Sequence, residues 1–247
     1  MTDAPLAVAE TRGSAFAAGV GCTQQTASCL RAVTVDIVLA NQPSVDLTID
    51  GKVLTQSIAA AFAGGEVNRM PVMEGTTHDE WRMFVGFDEF VNGPLTTAAY
   101  PAAIATTFDA SPADVASIAS RYPLAEYPTP SIALGAAGTD GALACPSRSD
   151  ARTLSRRVPV FVYEFNDTQA PPVAFHPPVS FSYGAFHSSE LQYLFAPAGP
   201  SSFNPDQQRL AATMVRYWTN FALAGKPSSP DTPSWERYSA ETEYSNR

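Results

Sequence analysis

Basic residues are scarce in this chain. Lysine and arginine total 15 against 24 aspartates and glutamates in 247 residues, a formal net charge of −9. A phosphate backbone needs a basic surface, so nucleic acid is excluded as an expected partner. No apolar run approaches the roughly 18 residues that a membrane helix requires, and no membrane span is expected. The opening residues Met1–Glu10 lack a basic segment and a long apolar core, so they do not read as a signal peptide. Histidine and cysteine number three each, and no cluster of them supplies the ligands of a metal site. No metal or other cofactor is expected. Internal repeats and low-complexity tracts are also missing. What remains is globular material, 45% hydrophobic and 16% charged, long enough for one large domain or two small ones.

Proline is abundant, at 21 residues, and implies many loops and abrupt element ends. Residues Asp3–Val20 read as a helix capped by Asp3, with Leu6, Ala9, Gly13, Phe16 and Val20 on one face. Short helical turns follow at Ala27–Arg31 and at Thr34–Ala40, the second capped by Thr34, and Asp50-Gly51 marks a turn. Between residues 95 and 157 the pattern is of helices broken by prolines, with Ser111-Pro-Ala-Asp114 as a helix start. Asn204 to Gly225 has an Asn cap, Pro205 at the first position and a terminal Gly, with Leu210, Met214, Trp218 and Phe221 as its buried stripe. The tail beyond it packs through Trp235. Cys22 and Cys29 close a small polar loop that reads equally as a disulfide or as two unrelated thiols, because spacing does not prove geometry.

Two stretches are short and apolar enough for sheet strands, Pro71–Thr76 and Val158–Phe165. The second is a near-continuous apolar run of the kind buried on both faces. Each is followed by a polar site. After the first comes Gly75-Thr-Thr-His-Asp-Glu80, where Gly75 permits a sharp turn and Thr77 can cap a helix from His78. Acidic residues in a first helical turn need no function to explain them, yet Glu80 also lies past the carboxyl end of a strand, where open α/β sheets place ligands. After the second comes Gly184-Ala-Phe-His187-Ser-Ser-Glu190, leading into a short helix with an apolar side. A carboxylate bonded to one imidazole nitrogen fixes the tautomer and leaves the other nitrogen to take a proton from a hydroxyl.

The words around Glu80 and His187 resemble the acid-bearing and histidine-bearing segments of the type-B carboxylesterase and lipase family, the α/β-hydrolases that include the cholinesterases. Cys145-Pro, Pro159-Val-Phe-Val-Tyr-Glu-Phe165 and Tyr217-Trp-Thr-Asn-Phe221 follow in that family's order, and the resemblance runs from about Ala7 to Tyr238. It implies an α/β fold, the C-terminal portion of an α/β-hydrolase, mostly helical with a few parallel strands including 71–76 and 158–165. It further implies carboxylic ester hydrolysis of a small-molecule substrate, with Glu80 as triad acid and His187 as general base. Cys22 and Cys29 sit where the family has a disulfide loop. Glu190 resembles a position next to the site, with a helix-start role as its plainer explanation.

The family's Gly-x-Ser-x-Gly nucleophile turn does not occur here. Ser14, in Arg12-Gly-Ser-Ala-Phe, and Ser201, in Gly199-Pro-Ser-Ser-Phe, lack the second glycine and are poor substitutes. The glycine-rich segment that would stabilise an oxyanion is absent as well. The expectation is therefore that residues 1–247 form a single partial hydrolase domain without the N-terminal, nucleophile-bearing half, inactive alone. Its partner would be that half, carrying the serine turn and any signal peptide. The resemblance and a Cys22–Cys29 bridge imply secretion. The alternatives are a non-catalytic binding or adhesion module of the cholinesterase-like kind, or an inactive gene fragment.

Overall fold

The computed structural model describes residues 3–42, 46–171, 176–195 and 203–241. Ser201 lies outside the described residues. The chain divides into two compact units, Met1–Val67 and Asn68–Arg247.

In the first unit, strand β1 (Asp3–Pro5) pairs in parallel with β2 (Leu47–Ile49). The unit also holds helices α1 (Leu6–Gly19), α2 (Ala27–Ala32), α3 (Val35–Asn41) and α4 (Ile58–Gly64), of which α1 packs on both strands. Asp3 does not cap α1. It sits in β1, and its carboxylate accepts the Ile58 N–H at 2.8 Å, so it serves the start of α4 instead. The expected apolar face of α1 is not the buried one either: Ala17 is the buried residue and Leu6 is exposed. The Cys22 N–H closes on the Ala17 carbonyl at 2.7 Å, which concentrates burial at the C-terminal turn. Cys22 and Cys29 form a disulfide, so of the two readings open from spacing the bridge holds. The Thr26 hydroxyl, accepting the Cys29 N–H, caps α2 inside that loop. At the expected turn, Asp50 Oδ1 accepts the N–H groups of Lys52, Val53 and Leu54 around Gly51 at φ 73°. Those donors hold its carboxyl below the usual range.

In the second unit, β3 (Val72–Thr77) pairs in parallel with β4 (Val160–Phe165), Val72 beside Val160 and Thr77 beside Phe165. Both strands start a residue or two later than the apolar runs that predict them. The crossover between them is α5 (Arg82–Asn92), α6 (Tyr100–Phe108), α7 (Pro112–Arg121), α8 (Pro130–Gly138) and α9 (Cys145–Leu154). Prolines sit in the first turns of α6, α7, α8 and α9, where the missing N–H costs nothing. Ser111 caps α7 as expected, accepting the Asp114 N–H. Val85, Tyr100, Ile104, Ala133 and Leu134 form the core between α5, α6 and α8.

After β4 come α10 (Leu191–Phe195) and α11 (Pro205–Ala224). Asn204 and Gln207 make a reciprocal capping box for α11, and Gly225 ends it at φ 67°. Its buried residues are Gln207, Met214 and Tyr217, while Leu210 is exposed. Of the expected stripe, Met214 is buried and Trp218 and Phe221 pack against the cores. Gln207 turns inward to donate to the Asp167 carboxylate and the Gln169 carbonyl. Trp235 is buried against Tyr217 and Tyr163, as the tail's packing predicts.

Gly75 is not a turn residue. It lies inside β3 opposite Tyr163, and a Cβ there would fall 2.3 Å from the Tyr163 ring. That ring is pinned edge-on by Trp218 at 5.1 Å and Trp235 at 6.2 Å, so it cannot retreat. Gly75→Ala is expected to cost about 1–3 kcal/mol of stability. Gly13→Ala, in α1 where a Cβ meets nothing, is expected to raise stability by roughly 0.5–1 kcal/mol. Paired thermal melts of the two variants check the contrast.

Candidate active site

Thr77 ends β3 and does not cap a helix at His78. The chain makes a turn over residues 78–81, and α5 begins only at Arg82. The turn buries both of its carboxylates, Asp79 and Glu80 each at 5% exposure. Two backbone donors hold its path: His78 N–H gives to the Phe165 carbonyl at 2.9 Å, and Asp79 N–H to the Ala185 carbonyl at 2.8 Å. The acid-bearing turn is thereby tied to the end of β4 and to the loop that brings His187.

Glu80 and His187, the two expected site residues, come together across 107 residues of sequence. Glu80 Oε2 lies 2.6 Å from His187 Nδ1. Its other oxygen, Oε1, accepts the Thr77 N–H at 2.8 Å, which fixes the carboxylate's plane. A carboxylate accepts only, so Nδ1 carries the proton and Nε2 is the basic nitrogen of the neutral ring. Among the described residues no hydrogen bond occupies Nε2. The His187 side chain is 38% exposed against 7% for Glu80, so the pair has a dry end and a wet end. Phe84 packs on the imidazole with centroids 5.3 Å apart, and Trp81 backs Phe84 at 4.6 Å. The hydrogen bond from Glu80 pushes the His187 pKa up; burial opposes it, and the charges of Glu80 and Glu190 add to the rise.

Glu190 stands in the turn just before α10, and its carbonyl accepts the Tyr193 N–H at 3.0 Å. Its Oε2 is buried with no hydrogen-bond partner among the described residues. Burial pushes this carboxyl's pKa up, the Glu80 charge adds to that, and His187 opposes it. A helix-start role alone does not account for a buried, unpartnered oxygen in the field of the pair.

Sequence reasoning passed over Asp79, Arg82 and Phe84. A helix dipole would account for Asp79 only if the helix began at His78, and α5 begins at Arg82. The proximity of Asp79 to Glu80 and the glycine at position 184 were the available signals. Ser14 sits in α1 of the first unit, and its hydroxyl contacts Gln25. Two cavities of the second unit, about 470 Å³ beside Tyr163, Met214 and Trp218 and about 320 Å³ beside His78 and Tyr122, are not lined by His187 or Glu80.

A profile of the Carboxylesterase family matches residues 3–246. Carboxylesterase 4A of Bos taurus is 32% identical over 87 residues, covering 35% of this chain and 15% of that protein. The bile salt-activated lipase of Homo sapiens is 36% identical over 63 residues, 24% of this chain and 8% of the lipase. The medium-chain fatty acyl-CoA hydrolase precursor of Anas platyrhynchos is 23% identical over 268 aligned residues, 95% of this chain and 45% of that protein. The chain thus spans less than half the length of these relatives. With a profile match across nearly every residue and parallel strands delivering an acid and a histidine to one place, the chain belongs to the carboxylesterase family.

Proposed function

We propose that Glu80 and His187 are the acid and general base of a carboxylic ester hydrolase whose nucleophilic serine is supplied by polypeptide outside this sequence. The observation that carries this reading is the 2.6 Å contact between Glu80 Oε2 and His187 Nδ1, with the carboxylate's other oxygen held by the Thr77 N–H. In that arrangement Nε2 takes the proton of a serine hydroxyl as the oxygen attacks the ester carbonyl. It returns the proton to the departing alkoxide, leaving an acyl-serine. A water then gives its proton to Nε2 and attacks the acyl carbon, and the serine leaves re-protonated. Glu80 stays ionised and stabilises the imidazolium in both halves.

Two features support an external serine. The Gly-x-Ser-x-Gly turn is absent from all 247 residues. Among the described residues the β3–β4 sheet has two strands, fewer than a parallel sheet normally needs for independent stability. The substrate is a small-molecule ester, and acyl and alcohol preference then belongs to pocket walls outside this chain. The Cys22–Cys29 disulfide fits an oxidising compartment, in line with secretion. Among the described residues no helix is long and apolar enough to cross a membrane.

The missing pentapeptide equally favours a second reading, a binding module that keeps the fold without the chemistry. A fluorophosphonate probe separates the two. The hydrolase reading expects no labelling of this chain alone, and labelling of a serine when it is co-expressed with an N-terminal half of a family member bearing the serine turn. A folded complex of the two halves that stays unlabelled contradicts it.

A further inference from the structure

We infer that Asp79 is a positioning residue: it does not touch the His187 ring, and it sets the place of His187 by clamping the backbone of the loop that carries it. This rests on the reading of Glu80 and His187 as the acid–base pair. Adjacent carboxylates on one turn then divide the work, Glu80 holding the imidazole and Asp79 holding the chain two residues before it.

The clamp has five polar contacts. Asp79 Oδ2 accepts the Ala185 N–H at 2.9 Å, while the Asp79 N–H donates to the Ala185 carbonyl at 2.8 Å. Both backbone groups of one fully buried residue are thus satisfied by one residue across 106 positions of sequence. Asp79 Oδ1 takes the Arg82 guanidinium at 2.9 Å and His78 Nδ1 at 3.0 Å. Arg82 in turn donates to the Ser182 carbonyl at 3.2 Å, so the loop is gripped at 182 as well as at 185. Between those points Gly184 adopts φ 61°, and a Cβ there would fall 2.1 Å from Asp79 Oδ2. The loop comes this close because position 184 has no side chain. Beyond it, Phe186 and Ser189 are buried and Ser188 takes a left-handed φ of 68°, so the segment around His187 has little slack. The Glu80–His187 hydrogen bond is short only while that segment stays in place. A merely structural ion pair would stabilise the fold without governing that distance.

The test is an NMR titration of the histidine ring protons in this chain. There are three histidines, 78, 176 and 187, so His187→Gln assigns the signal. Wild type is expected to titrate above the ordinary imidazole midpoint. Glu80→Gln removes that rise. Asp79→Ala is expected to remove it too, with Glu80 untouched. Asp79→Asn is expected to fall between, because the amide keeps one acceptor for Ala185 and turns a donor toward Arg82 and His78. If Glu80→Gln shifts the midpoint and Asp79→Asn, folded by circular dichroism, leaves it at the wild-type value, the clamp is overturned and the acid–base pair stands. Should Glu80→Gln itself change nothing, the pair is overturned. Asp79→Asn is near-isosteric and decides the matter even if Asp79→Ala does not fold.

Discussion

His187→Ala is expected to reduce kcat for ester hydrolysis on the order of 10⁴–10⁶-fold in the complex of this chain with a serine-bearing half, because nucleophile and base act as one unit. The substitution also leaves the buried Glu80 carboxylate without its imidazole partner, so the melting temperature should fall as well, and turnover is compared in complexes shown to be folded. The pH profile carries an independent sign. The base works only when neutral, so activity falls as pH drops through the His187 pKa. That pKa is raised by the Glu80 hydrogen bond, so the acid limb lies above the ordinary imidazole value of about 6.5. Stability runs the other way. A raised pKa means that the paired, charged ring stabilises the fold fully below the unfolded imidazole pKa, and this contribution is lost as pH rises through the folded value. Catalysis is therefore switched on in the range where the pair contributes least to folding. Rate and melting profiles measured over the same pH series check both slopes.

The second large effect is expected from Glu80→Gln, roughly 10⁴-fold in kcat, the scale seen when a triad carboxylate becomes an amide. The glutamine oxygen still accepts the Thr77 N–H, so the side chain stays where Glu80 was. Its amide then donates to His187 Nδ1, which forces the ring proton onto Nε2, and Nε2 can no longer accept from a hydroxyl. The acid limb of the surviving activity should move to lower pH, since the group that raised the pKa is gone. Steady-state kinetics should place the loss in kcat with KM largely kept, because nothing in the substitution touches a binding wall.

Much of the frame was legible in the chain itself. The apolar run ending at Phe165 had to be buried and was long enough for a strand only, and β4 is its outcome. The Asn204, Pro205 and Gly225 signals bounded α11 to the residue, because caps are local chemistry. Glu80 and His187 were legible by resemblance, and geometry adds the contact between them. What could not be read depends on residues far apart. Gly75 looked like a turn glycine, yet its reason is the Tyr163 ring on the neighbouring strand. Asp79 looked like a charge complementing a helix dipole, but its partner is Ala185. Met214, Trp218 and Phe221 of the stripe expected on α11 do pack inward, while Leu210 is exposed and the buried Gln207, bonded to Asp167, is invisible to an apolar pattern. In the first unit, α1 offers apolar residues at helical spacing and buries only Ala17. Periodicity says which face is apolar, and not whether anything covers it.

The most direct test of the central claim is the low-field proton NMR spectrum of this chain by itself. If Glu80 and His187 are held as an acid–base pair in advance of any serine, the imidazole Nδ1–H must resonate far downfield of the amide envelope, strengthen as the ring is protonated, and vanish in both Glu80→Gln and His187→Gln. A spectrum with no such resonance in the folded wild-type chain, or with one that survives Glu80→Gln, would contradict the account.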